Sequence, residues 1–213
     1  TDAAVVGDAD SVTLTVSDLT AGTVTINGIE TINIVSNGDA NTLTTMTADS
    51  ATTFNVTGSG DLDLGALDAD TSDTINASAF TGSLTAIGTN TISNTITGGS
   101  GDDSLTGAAG NDVLVGGAGN DTLTAGAGND SLSDVSGTNK FVFGANFTLN
   151  DTVSGGSGTD TLSVTSATVT ALTSTTKLTN VSGIEKLTIS DALAGSLTTA
   201  YVQAGITGVT LSA

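Results

Sequence analysis

The chain has no cysteine, histidine, proline or tryptophan among its 213 residues, and aromatic residues make up 3% of it. Without cysteine there are no disulfides, no thiolate metal sites and no cysteine nucleophile. Without histidine the usual zinc sites and histidine-based triads are excluded. The absence of proline leaves every strand free to donate along its ladder. Positive charge is nearly missing too: Lys+Arg is 3 against Asp+Glu 22, a formal net charge of −19. Nucleic acid and anionic membranes are themselves polyanions, so neither is expected as a partner, and cations are favoured. No apolar run approaches the roughly 18 residues of a membrane-spanning helix. The sequence begins at Thr1 and shows no basic segment leading into an apolar one, so no signal peptide is visible and it reads as a piece of something larger. A zinc protease would need H-E-x-x-H and a lipase G-x-S-x-G with a histidine. Neither is present, so no enzyme is expected here, and any active site would lie outside this sequence.

High net charge with few aromatics is a common mark of disorder. Yet hydrophobic residues are 37% of the chain and the mean hydropathy is +0.23. Apolar residues alternate with threonine, as in Val12-Thr13-Leu14-Thr15-Val16 and Val24-Thr25-Ile26. That period is a strand signature. The expectation is an ordered, all-β, threonine-rich protein with a thin core of Leu, Ile, Val and Ala. No segment has a persuasive helical pattern, although Thr198–Ala204 would fit a single turn.

The strongest signal is periodicity. Gly98-Gly99-Ser100-Gly101-Asp102-Asp103-Ser104-Leu105 is followed by Gly107-Ala108-Ala109-Gly110-Asn111-Asp112-Val113-Leu114. The runs Gly116–Leu123 and Ala125–Leu132 repeat the phrase. The sixth-position carboxylates Asp103, Asp112, Asp121 and Asp130 are thus spaced nine residues apart. One step outward at each end, Asn94 and Asn139 replace aspartate with a neutral amide, as capping repeats do. A further copy stands at Gly155–Leu162, with Asp160 in the sixth position, and the coil is expected to resume there after Asp151-Thr152-Val153. A second repeat lies in the flanks: Gly28-Ile29-Glu30-Thr31-Ile32 matches Gly183-Ile184-Glu185-Lys186-Leu187. The expected organisation is an N-terminal threonine-rich β module over 1–89, a glycine-rich roll over 90–162 and a C-terminal β module over 163–213. For Gly7–Ala79 a solenoid and a sandwich both remain open.

Glycines let the backbone turn tightly and leave carbonyls uncovered. The leucine of each unit belongs to a short strand pointing inward. With two units per coil, units i and i+2 stack. Strands stack about 4.7–4.9 Å apart, so an ion midway lies about 2.4 Å from each neighbour. Calcium–oxygen distances are about 2.3–2.6 Å, whereas magnesium needs about 2.0–2.1 Å in a strict octahedron. The ladder therefore suits calcium. By parity, one column holds Asp103, Asp121 and Asn139 and the other Asn94, Asp112 and Asp130.

The nonapeptide G-G-x-G-x-D-x-U-x resembles the calcium-binding RTX (repeats-in-toxin) family. The likeness spans about residues 90–139, with the separate copy at 155–162. It implies a parallel β-roll in which each of several calcium ions takes two stacked aspartates and backbone carbonyls from the first four loop positions. The implied ligands are Asp103, Asp112, Asp121, Asp130, Asn139 and Asp160. The implied loop positions are Gly98, Ser100, Gly107, Ala109, Gly116, Gly117, Ala118, Gly119, Gly126 and Gly128. Sites completed by Asn139 or Asn94 are expected to be weaker. Ala108 and Ala125 depart from the pattern, which favours glycine. Asp102, and Asp61 with Asp63, are read as exposed acids, and Glu30 and Glu185 as solvated or turn-capping acids. The composition also resembles RTX-type bacterial surface-layer proteins. That likeness implies an extracellular structural protein exported by a type I system, self-associating into a lattice with calcium and contacting cell-surface polysaccharide through regions not seen here. An adhesin segment and the calcium-binding tail of a secreted enzyme or toxin are the alternatives.

Overall fold

A computed structural model describes residues 10–68, 73–88, 92–171, 178–191 and 205–211. The expected helical turn at 198–204 lies outside them. Two long parallel sheets run side by side along the chain. The first takes, in order, Ser11–Ser17, Thr31–Asn37, Thr53–Gly58, Thr74–Phe80, Thr95–Thr97, Val113–Val115, Ser131–Ser133, Thr152–Ser154 and Val181–Ser182. The second takes Thr23–Thr25, Thr45–Thr47, Asp61–Asp68, Leu84–Ile87, Ser104–Thr106, Thr122–Thr124, Lys140–Gly144, Thr161–Val164, Lys186–Ile189 and Gly208–Leu211, with Ala40–Thr42 also pairing along Asp61–Asp68. Strands alternate between the sheets, so the described residues form a β-solenoid and the sandwich is excluded.

The central pairing follows from the nine-residue period. Ser104 pairs with Thr122, and Val113 with Ser131, each an offset of two units. The central strands are only three residues long, and each points its middle residue inward. In the first sheet Ile32, Phe54, Ile75, Ile96, Leu114, Leu132, Val153 and Val181 stack in register. In the second, Ala86, Leu105, Leu123, Phe141, Leu162 and Leu187 do the same. These residues are all buried. The core is less thin than its aliphatic pattern predicts, because all five phenylalanines enter it: Phe54, Phe80, Phe141, Phe143 and Phe147 are at most 6% exposed.

Two further features differ from the sequence reading. Strand pairing continues past Asn94 and Asn139 on both sides, so these residues do not end the stack. A six-residue helix, Ser166–Ala171, interrupts the β pattern after Val164. Its first residue is held by Asp191, whose Oδ1 accepts the Ser166 N–H at 2.6 Å.

Candidate metal centre

Each central repeat turns between its strands through a loop of six residues, and loops two units apart lie on one another. Hydrogen bonds between them use the backbone of the second and third positions. Gly99 O accepts the Ala118 N–H at 3.0 Å, and Ala108 O accepts the Ala127 N–H at 2.9 Å. The sixth position adds a side-chain ladder. Asp103 N–H donates to Asp121 Oδ1 at 2.7 Å, Asp121 N–H to Asn139 Oδ1 at 2.8 Å, and Asn139 N–H to Asp160 Oδ1 at 2.8 Å. In the other column Asn94 N–H donates to Asp112 Oδ1 at 2.7 Å, Asp112 N–H to Asp130 Oδ1 at 2.9 Å, and Asp130 N–H to Asp151 Oδ1 at 2.7 Å. The two columns are those that parity predicts.

Both columns continue beyond the uninterrupted repeats. Asp160, from the separate copy, sits in line and is fully buried. Its N–H donates to Glu185 Oε2 at 2.9 Å, as the Asp10 N–H does to Glu30 Oε2 at 2.9 Å. Both glutamates thus join one coil to the next, 25 and 20 residues apart, instead of capping a local turn. Asp151 belongs to the second column and was missed by counting, because the step from Asp130 is 21 residues instead of 18. The motif Asp151-Thr152-Val153 was the available signal. Asp102, Asp61 and Asp63 stay outside the columns. Their Oδ1 atoms accept local or interloop N–H groups of Asn120, Ser83 and Gly65.

With Oδ1 committed, Oδ2 accepts a local N–H at Asp103 (from Gly99, 2.8 Å) and at Asp151 (from Thr148, 2.6 Å) and is left over at other positions. Asp112 Oδ2, Asp121 Oδ2 and Asp160 Oδ2 are buried without a hydrogen-bond partner among the described residues. An acceptor buried without a donor costs about 1–3 kcal/mol, and more when charged, so these atoms call for a cation. The position each faces is marked by the first glycine of its loop. A Cβ at Gly107 would lie 2.6 Å from Asp112 Oδ2 and 2.6 Å from Ala125 O. At Gly98 it would lie 2.2 Å from Asp103 Oδ2 and 2.4 Å from Gly116 O, and at Gly155, 2.7 Å from Asp160 Oδ2 and 1.9 Å from Gly183 O. Gly98, Gly107 and Gly155 thus each open a cradle between a carboxylate and a carbonyl of the next coil. Both are hard oxygen donors of the kind calcium takes. No group of three or more His, Cys, Asp or Glu gathers among the described residues, so backbone carbonyls must supply much of any shell.

The remaining loop positions have structural work of their own. Gly126 and Gly128, with φ of +104° and +150°, bring the backbone against the loop below, where a Cβ would lie 1.6 Å from Ala108 O and Gly110 O. Gly117 and Gly119 repeat this against Gly99 and Gly101. Ala109 and Ala118 form parallel bridges to Ala127 and Ser136, and the Ser100 N–H donates to Phe80 O. Ala108 holds a left-handed φ of +77°, which glycine would adopt more easily. Ala125 is fully buried, and its carbonyl faces the Gly107 cradle.

The electrostatics agree with a site built for a cation. Burial pushes Asp103 up to about 6, with the charge of Asp121 adding and the Gly99 and Leu84 N–H groups opposing. Asp112 is raised to about 6, again by burial, with Asp130 adding. Burial also raises Asp130 and Asp160, helped by the charges of Asp151 and Glu185. Each column thus carries like charges that disfavour one another until a counter-charge enters.

The RTX calcium-binding nonapeptide repeat (4 copies) matches the chain over residues 89–123, 97–132 and 150–164. These segments contain the four central aspartates and Asp160. No curated protein and no solved structure matches the chain.

Proposed function

We propose that this all-β solenoid carrying RTX calcium-binding repeats is a non-enzymatic, extracellular structural protein whose folding is switched on by calcium, and that it serves as a subunit of a surface-layer lattice. One observation carries the calcium switch: buried Oδ2 atoms lacking donors face glycine cradles along both columns. In an unfolded chain those carboxylates are far apart and solvated. Stacking brings them into columns that a divalent cation neutralises, so binding and folding are one equilibrium. Cytosolic calcium is scarce, while extracellular modules bind at about 10⁻⁴–10⁻³ M. The chain would stay export-competent inside the cell and fold outside it. The net charge of −19 and the absence of disulfides support that reading. The threonine-rich strands and the solenoid extending beyond the repeats on both sides support a scaffold role.

The test is circular dichroism of the full chain in EGTA, then in millimolar calcium or magnesium, followed by electron microscopy of the calcium form. The reading requires a large gain of β signal with calcium, little with magnesium, and ordered arrays. A chain fully folded in EGTA would remove calcium as the switch. Folded particles that never assemble would remove the lattice and favour an adhesin segment.

A further inference from the structure

The cradle at Gly116 differs from the others. A Cβ there would lie 2.3 Å from Asp121 Oδ2, as the pattern requires, but the second neighbour is Asp134 Oδ2 at 2.0 Å where other cradles meet a carbonyl. Asp134 is 7% exposed and Asp121 1%. Neither Oδ2 has a hydrogen-bond partner among the described residues. Asp134 Oδ1 closes a turn by accepting the Ser136 N–H at 2.9 Å, which fixes the carboxylate with Oδ2 turned inward.

Asp134 opens the loop Asp134-Val135-Ser136-Gly137-Thr138-Asn139. That loop has aspartate at the first position, where the repeat has glycine, and asparagine at the sixth, where the repeat has aspartate. The charge missing from Asn139 is thus restored five residues earlier in the same loop. Resting on the calcium reading above, we infer that Asp121 and Asp134 form a two-carboxylate calcium site at the Gly116 cradle, with a first-position side chain replacing the carbonyl used elsewhere. The position that counting marks as weakened by Asn139 becomes a full-charge site.

The experiment counts calcium bound by the full chain at equilibrium, in the parent and in Asp134→Asn, Asp134→Ala and Gly116→Ala. Asp134→Asn keeps an Oδ1 for the Ser136 turn and removes only the charge. Gly116→Ala leaves both carboxylates and fills the space between them. Circular dichroism in millimolar calcium establishes that each variant keeps the parent's β content. The expected result is one fewer tightly bound ion in all three. Full stoichiometry and affinity in Asp134→Asn, with a loss confined to Asp134→Ala, would mean that Asp134 only shapes its turn and would overturn the site. Full binding by Gly116→Ala would overturn it independently. A parent chain that binds calcium separates these outcomes from failure of the calcium reading itself. A parent that binds none would overturn both.

Discussion

Replacing Gly128 with alanine isolates how much of the roll depends on close approach between loops. The new Cβ would lie 1.6 Å from Gly110 O and 2.6 Å from Gly110 C. Gly110 cannot easily retreat, because its N–H donates to Ala127 O at 2.8 Å and the neighbouring Ala109 bridges Ala127. Alanine would also inherit a φ of +150°. Such a backbone costs about 1–3 kcal/mol and overpacking about 1–3 kcal/mol, so the total is about 2–6 kcal/mol. For a chain of 150–250 residues each kcal/mol moves Tm by about 2–4 °C, so a fall of about 4–24 °C is expected. Gly144 is the control. Its φ is +57° and a Cβ there meets nothing within 4 Å, leaving only the left-handed cost of about 1–2 kcal/mol. Thermal melts of both variants in saturating calcium decide the matter. A Gly144→Ala loss equal to that of Gly128→Ala would refute the close-approach argument.

Acid should partly substitute for calcium. Asp103 and Asp112 are raised in the fold to about 6 from a reference of 3.8. The folded state therefore binds more protons than the unfolded one between about pH 4 and 6, and stability falls as pH rises through that window. In EGTA the β signal should grow as pH drops from about 6 towards 4, and a flat or inverted profile by circular dichroism would contradict this. Asp151→Asn should weaken calcium binding in a titration as Asp112→Asn does, because both lie in one column. Asp63→Asn, whose Oδ1 accepts only the nearby Gly65 N–H, should leave binding unchanged.

The central pairing was legible because a strict nine-residue period with two units per coil leaves one register. The 18-residue offsets of Ser104 with Thr122 and Val113 with Ser131 follow from it. The flanks were harder, since their coils lengthen: the Asp160–Glu185 step is 25 residues and the Asp10–Glu30 step 20. A shared sheet tolerates such loop growth on the surface, but counting does not. Asp151 was displaced by the same effect. Asp134 escaped because it occupies a position the motif assigns to glycine, and only the fold places it beside Asp121. The phenylalanines escaped because 3% aromatic content suggests a core without them, yet a solenoid strand buries its single inward residue completely.

The two oxygens of each column aspartate do different jobs, and this explains why asparagine is the residue that interrupts the series. Oδ1 accepts the N–H of the residue one coil below and so fixes the stacking register. Oδ2 is left for the ion at Asp112, Asp121 and Asp160, while at Asp103 and Asp151 it also accepts a local N–H, from Gly99 and Thr148. Asparagine keeps an Oδ1, as Asn139 does towards the Asp121 N–H and Asn94 towards the Asp73 N–H at 3.3 Å, while removing one negative charge from the column. An apolar residue would lose both and leave a buried N–H unsatisfied, at about 1–3 kcal/mol. Glu30 and Glu185 extend the first job across longer coils, reaching with one more methylene to the N–H of Asp10 and Asp160. Stacking and ion binding are therefore written into the same side chain. No carboxylate can hold its ion in this way without its coil in register, and each coil brought into register adds a charge that the ion must neutralise.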